Sequence, residues 1–213
     1  MLSEGNDVDH EQTYANDDVK ALTHAWVNER CSPELLPYES TLMANLLEML
    51  DAQSNNIDSL RDGKPDNAFL QVLYQQEMER IKFVMRSYLR ARLAKIEEHS
   101  MHCLREQDYR RRMSPQELAF AERYDEMLQK HYIKSSLDEL HPSLQRLDEA
   151  TEQSNMVQIP DLDNAVFCRV VQDVGDFQIG DRGTTVTMER GNVYIVKYRA
   201  IRTLLADKKV ELL

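Results

Sequence analysis

Cysteine, glycine, proline and tryptophan are all scarce in this sequence, at 3, 6, 6 and 1 among 213 residues. Each shortage excludes something. Cys31, Cys103 and Cys168 lie too far apart for a disulfide framework or for paired metal-knuckle spacing, so they are expected to be reduced and buried. With so few glycines there is no GxGxxG, GxxxxGK[ST] or GxSxG, and HExxH is missing too, which removes phosphate-cradling loops and the commoner hydrolase sites. Uninterrupted apolar runs are only a few residues long, far short of a bilayer span. The opening stretch MLSEGNDVDHEQ has neither a basic n-region nor an apolar h-region, so it reads as no secretory or transit peptide, and the expected compartment is cytoplasm or nucleus.

Positive charge is the other shortage, and it is uneven. The net charge is -11, yet residues 1–62 hold 3 Lys and Arg against 13 Asp and Glu, whereas residues 66–112 hold 10 against 7. A locally basic segment inside an acidic chain argues against broad nucleic-acid binding, because the acidic remainder repels phosphate.

What is present is helical periodicity followed by strand periodicity. Val19, Leu22 and Trp26 recur at intervals of three and four and predict a helix over Asp17 to Arg30. Ser32-Pro33-Glu34 has the composition of a helix start, although Pro37 leaves room for only a turn or a re-entered helix. Leu42 to Leu50 predicts a second helix, ending before a loop at SNNIDSLRDGKPDN. A long third helix is predicted from about Asn67 to about Leu104, spanning on the order of 55 Å. Its apolar stripe is Met78, Ile81, Met85, Tyr88, Leu89, Leu93 and Ile96, interleaved with Arg80, Lys82, Arg86, Arg90, Arg92 and Lys95. Ser114-Pro115-Gln116-Glu117 predicts a capping box opening a fourth helix to about Ile133. KSSLDELHPSLQRL is a short helical or irregular piece broken at Pro142.

After Asp148 the period falls to two. Val166–Val171, Thr184–Met188, Val193–Tyr198 and Lys209–Leu213 predict strands, with RAIRTLLAD as a short helix before the last. The expected fold is α+β: a disordered acidic N-terminus over 1–16, an all-α domain with a long central helix over 17–148, a linker over 149–161, and a small β-rich domain over 162–213.

The sequence offers few groups arranged for chemistry. His99, His102 and Cys103 lie close together, but no second pair has zinc-ligand spacing, so no metal or cofactor is expected. Carboxylates are scattered, and no pair stands out as general acid and base. Arg110-Arg111-Arg112 could touch phosphate or an acidic protein surface. Interface cores enrich arginine together with tyrosine and methionine, which is the mixture carried by the long helix.

EMERIKFVMRSYLRARLAKIEE, then MSPQELAF and PDLDNAVFCRV, together resemble the GINS complex subunit of the SLD-five type, also called subunit four. AWVNERCSPELLPYE is similar to that family's first helix and turn, and VYIVKYRAIRTLLADKKVELL to its closing strands. The resemblance implies a non-catalytic subunit of a nuclear heterotetramer with three other GINS subunits. That complex joins the MCM helicase and a further cofactor at replication forks and bridges to replicative polymerase. It also implies that the long helix enters a bundle shared among subunits, and that the C-terminal β module docks on neighbours. The expected interface residues are Met78, Arg80, Ile81, Met85, Tyr88, Leu89, Arg90, Arg92 and Leu93 on the helix, with Val210, Leu212 and Leu213 at the C-terminus. DNA contact is expected to be weak or indirect, and membrane contact is not expected. Residues 1–16, the segment 54–67 and the arginine run at 110–112 match nothing in the family pattern. The alternative, from another class, is a DNA-binding module tracking the phosphate backbone through the basic helix.

Overall fold

The computed structural model describes residues 7–60, 65–141, 145, 147, 150–151, 154–179 and 184–213. Its helices are α1 (Asp7–Cys31), α2 (Ser40–Ser59), α3 (Pro65–Glu98), α4 (Ser100–Arg105), α5 (Gln107–Arg112), α6 (Pro115–Ser135) and α7 (Tyr198–Ala206). The strands are β1 (Ala150–Thr151), β2 (Ser154–Asn155), β3 (Ala165–Val170), β4 (Gly175–Ile179), β5 (Thr184–Met188), β6 (Val193–Lys197) and β7 (Val210–Leu212). A helical N-terminal part followed by a small sheet region is the α+β architecture expected from the change of period. Two compact units partition the chain: residues 1–27 with 39–90, and residues 28–38 with 91–213.

In the first unit, α2 buries Met43, Leu46, Leu50 and Ile57. Leu46, Leu50 and Ile57 recur at four and seven, which explains why the helix continues through the polar SNNIDS: burial of Ile57 outweighs the weak helix propensity of Ser and Asn. Of the loop expected over 54–67, residues 54–59 and 65–67 are helical, Leu60 is a turn, and residues 61–64 lie outside the described residues. Val19 and Leu22 of α1, and Met78, Val84, Met85 and Tyr88 of α3, are buried as well. The Glu39 N–H donates to the Tyr88 hydroxyl at 3.4 Å. Of the stretch expected to be disordered, residues 1–6 lie outside the described residues and residues 7–16 are helical.

The second unit carries the remaining helices and all the strands. The long helix stops at Glu98, not Leu104, and His99 (φ -117°, ψ 31°) separates it from α4. No proline or glycine is responsible. Glu97 and Glu98 load negative charge onto the negative end of the helix dipole, which weakens its last turn. Ser32-Pro33-Glu34 starts no helix; residues 32–39 have neither helix nor strand structure, and the Ser32 hydroxyl donates to the Glu34 carbonyl at 2.8 Å. Ser114 does cap α6. Its Oγ accepts from the Glu117 N–H at 3.2 Å, while a Glu117 carboxylate oxygen accepts from the Ser114 N–H at 2.8 Å. Leu35, Ile96, Cys103, Tyr109, Met113 and Ala121 form the helical core of this unit.

Of the segment expected to be a linker, the structure describes the short β1–β2 pair and residues 156–161 as part of this unit. Pro142 lies outside the described residues. The three-stranded sheet has the order β6-β3-β7, all antiparallel, with Phe167 opposite Ile195 and Cys168 opposite both Tyr194 and Leu212. Alternation along β3 sends Val166, Cys168 and Val170 into a core with Val196, Val210, Leu212 and Tyr198, Ile201 and Leu204 of α7. Strand β4 pairs with β5 in a separate ribbon. Its sequence, GDFQI, lacks the β-branched run that marks the other strands. Gly191, at φ 89°, turns the chain from β5 into β6 and donates its N–H to the Val170 carbonyl at 2.8 Å.

Candidate functional site

Two features of the helices stand out, one exposed and one buried. At the head of α3, Phe69, Leu70, Val72, Leu73 and Tyr74 are all exposed, Phe69 by 67% and Val72 by 59%. Phe69, Val72 and Leu73 fall at i, i+3 and i+4, so they share one face, and Leu70 and Tyr74 widen it. A helix segment that is apolar over most of its circumference belongs in a core, yet nothing described in its own unit buries this one.

The buried feature lies in the second unit and accounts for Arg92 among the arginines of the long helix. Arg92, fully buried, uses all five of its N–H donors. Nε donates to Glu117 Oε1 at 2.7 Å and Nη2 to Glu117 Oε2 at 3.1 Å. Nη1 donates to Glu29 Oε2 at 2.9 Å and to the Leu36 carbonyl at 2.7 Å, and Nη2 to the Arg112 carbonyl at 2.9 Å. One helical turn on, Lys95 Nζ donates to Glu29 Oε1 at 2.9 Å, Ser32 Oγ at 2.8 Å, the Glu34 carbonyl at 2.9 Å, and the Glu29 carbonyl. Burial pulls the Lys95 ammonium below its ordinary value of 10.5, against the opposing pull of Glu29.

Glu34 is the second centre. Its Oε1 accepts from Tyr198 Oη at 2.9 Å and Arg202 Nε at 2.6 Å. Its Oε2 accepts from Tyr109 Oη at 3.0 Å, Arg112 Nη1 at 2.9 Å and Arg202 Nη2 at 2.7 Å. Burial works hardest against its ionisation, but the Arg202 bond, the Arg112 charge and the Tyr198 hydroxyl outweigh it and hold the carboxyl below its ordinary value. Burial, reinforced by the Glu34 charge, raises both the Tyr109 and the Tyr198 phenols. Replacing such a cluster by apolar groups can be neutral, whereas removing one member strands the others, so its contribution is to fix geometry. Glu34 fastens α7, and with it the sheet, to the segment 28–38 and to α5.

Residues 41–136 match the family described as the GINS complex protein helical bundle domain, and residues 160–213 the DNA replication complex GINS protein SLD5 C-terminus. Three proteins named DNA replication complex GINS protein SLD5 are similar over nearly the whole chain. The one from Chaetomium globosum is 33% identical, over 92% of this chain and 90% of its own. That from Arabidopsis thaliana is 33% identical, covering 98% and 97%, and that from Schizosaccharomyces pombe is 31% identical, covering 91% and 90%.

The chain belongs to the GINS SLD5 family. Against the interface residues expected for an SLD5-type chain, the structure places Met78, Met85 and Tyr88 inside the first unit and Arg92 inside the second. Val210 and Leu212 are 2% exposed in the chain's own sheet core, so they face α7, while Leu213 is exposed. Ile81, Leu89 and Leu93 are half-buried, and Arg90 is exposed. Arg80 forks onto Glu77 through Nε at 3.0 Å and Nη2 at 2.6 Å, a surface pair of small energetic weight. The apolar head of α3 was missed because it precedes the regular stripe; its signal was a run, FLQVLY, too apolar for a solvent-facing helix start. Of the arginine run, Arg112 turns inward to Glu34 and Arg110 pairs with Glu122 at 3.0 Å. Cys103 and Cys168 are buried, while Cys31 is only partly so.

Proposed function

We propose that this SLD5-family chain is a structural, non-catalytic subunit of a GINS complex acting in DNA replication in the nucleus, and that the apolar head of α3 is a seam against another subunit. The observation that carries this reading is the exposure of Phe69, Leu70, Val72, Leu73 and Tyr74 on a single helix. Leaving such a face in water forgoes about 25 cal/mol for each Å² of apolar surface that a partner could cover. The relatives' names supply the partner class, a GINS complex. Onward contacts with the MCM helicase, its further cofactor and replicative polymerase follow from the family resemblance and belong to the assembled complex.

A DNA-tracking module is the weaker reading. Arg92 and Arg112 are committed inside the protein, and Arg80, Lys82, Arg86 and Arg110 each meet a carboxylate within 3.6 Å. Binding phosphate would require releasing most of them. The test is co-expression with the other three GINS subunits, followed by size-exclusion chromatography with mass determination, for the natural chain and for a Phe69→Glu, Leu73→Glu double variant. A particle with one copy of each subunit is expected for the natural chain, and a loss of most of that particle for the variant. Undiminished assembly of the variant would remove the head of α3 as the seam; no four-part particle from the natural chain would sink the subunit assignment.

A further inference from the structure

The two edges of the β6-β3-β7 sheet are treated differently. On the β7 edge, the Leu212 N–H donates to Asn28 Oδ1 at 2.7 Å, so a side chain from α1 covers it. On the β6 edge, parity decides which groups are free. The Val170 N–H donates to the Asn192 carbonyl at 3.0 Å, and the Tyr198 N–H to the Asn164 carbonyl at 2.9 Å. Even-numbered residues of β6 therefore bond to β3, and the odd-numbered Val193, Ile195 and Lys197 direct their backbone groups outward. Among the described residues no strand lies beyond β6. Successive outward groups recur about every 6.8 Å, the spacing of an extended chain and of no helix.

The side chains along this edge are also unusual. Val193 and Ile195 are exposed by 49% and 64%, and Phe167, directly opposite Ile195 on β3, by 54%. Because Phe167 and Ile195 form a non-hydrogen-bonded pair, their side chains stand close together on the open face, with Leu213 exposed just past the end of β7. An uncovered edge strand bearing apolar residues is a template for strand addition, and proteins ordinarily blunt such edges with charge, proline or a bulge. Here Lys197 is the only charge on β6, and it lies at its end beside Asp163 at 3.8 Å.

We infer that the outer edge of β6 accepts an extended segment of another GINS subunit, which adds a strand to this sheet. The inference rests on the subunit reading above. The incoming segment has apolar residues at alternate positions, next to Val193 and Ile195, and no cation opposite Lys197. A second copy of this chain fits less well: antiparallel pairing of β6 with itself about Ile195 sets each Val193 opposite the other copy's Lys197. Main-chain bonding supplies the affinity, and the Phe167–Ile195 surface selects the side chains.

The test is hydrogen exchange resolved to single amides by fragmentation mass spectrometry, on the purified chain and on the reconstituted four-subunit complex. In the chain alone, Tyr194 and Val196 are expected to be protected and Val193, Ile195 and Lys197 to exchange freely. In the complex the odd-numbered amides are expected to slow by roughly 100-fold or more. A complex that forms while those amides still exchange freely overturns strand addition and leaves the subunit reading standing. Protection already present in the monomeric chain would show that its own residues cover the edge, and protection rising with concentration together with a dimer mass would assign it to a second copy; either overturns the inference. Failure to form the complex at all removes the subunit reading and this inference with it.

Discussion

Arg202 and Glu34 meet fork to fork, Nε to Oε1 at 2.6 Å and Nη2 to Oε2 at 2.7 Å, across 168 residues of sequence. The pair joins the last helix of the chain to an irregular segment near its start. With Tyr198, Tyr109 and Arg112 on the same carboxylate, Glu34 is a shared anchor for the C-terminal module, beside the Leu212–Asn28 hydrogen bond.

Acid should loosen that attachment. Because the folded-state value of Glu34 lies below its ordinary 4.5, its contribution is fully present above pH 4.5 and is lost as pH falls through the lowered value. Urea unfolding of the natural chain is expected to move to lower midpoints below pH 4.5. Glu34→Gln should start from a lower midpoint at neutral pH and show a shallower acid dependence. Equal acid slopes for the two proteins would mean that Glu34 is not the group whose protonation releases the module.

Arg92 should tolerate no shortening. Arg92→Ala leaves Glu29 and Glu117 as buried carboxylates, Glu117 with only the Ser114 N–H and Glu29 with Lys95, at a cost of about 3–5 kcal/mol. Arg92→Lys keeps the charge but not the fork, so it should recover only part of that loss. Denaturant midpoints of the two variants at neutral pH provide the measurement, and a shift of under about 1 kcal/mol for Arg92→Ala would contradict the described geometry.

The three thiols should separate by reactivity. Burial pushes the Cys103 thiol up to about 11, so at pH 8 only about one molecule in a thousand carries the thiolate there. Burial also raises Cys168. Iodoacetamide on the native protein is expected to label Cys31 first, with Cys103 and Cys168 modified only after unfolding. Labelling of Cys103 as fast as Cys31 would show that its site opens readily.

Much of this was legible beforehand, for reasons that can be traced to particular residues. Ser114 to Glu117 announced a helix start because every member of a capping box is local in sequence. The alternation through Val166, Cys168 and Val170 announced a sheet because one face had to be buried. Arg92 could not be told from Arg90 by spacing, since both flank the same apolar stripe; only the fold brings Glu29 and Glu117 to one of them. Glu34 was equally silent. Its five donors come from positions 109, 112, 198 and 202, and no local pattern links them. The outward edge of β6 was hidden for a third reason: period two marks a strand but not whether both of its edges are paired.

The Glu34 junction also sets a clock on synthesis. Glu34 is made 168 residues before Arg202, and at about 5–20 residues per second that interval is roughly 8–34 s. Through it the carboxylate has Tyr109 and Arg112 but neither Tyr198 nor the Arg202 fork, and Leu36 lacks the α7 side of the core it packs against. A nascent chain halted before Tyr198 would therefore hold the segment 28–38 through α3 and α5 without α7, and synthesis of residues 198–202 adds the clasp.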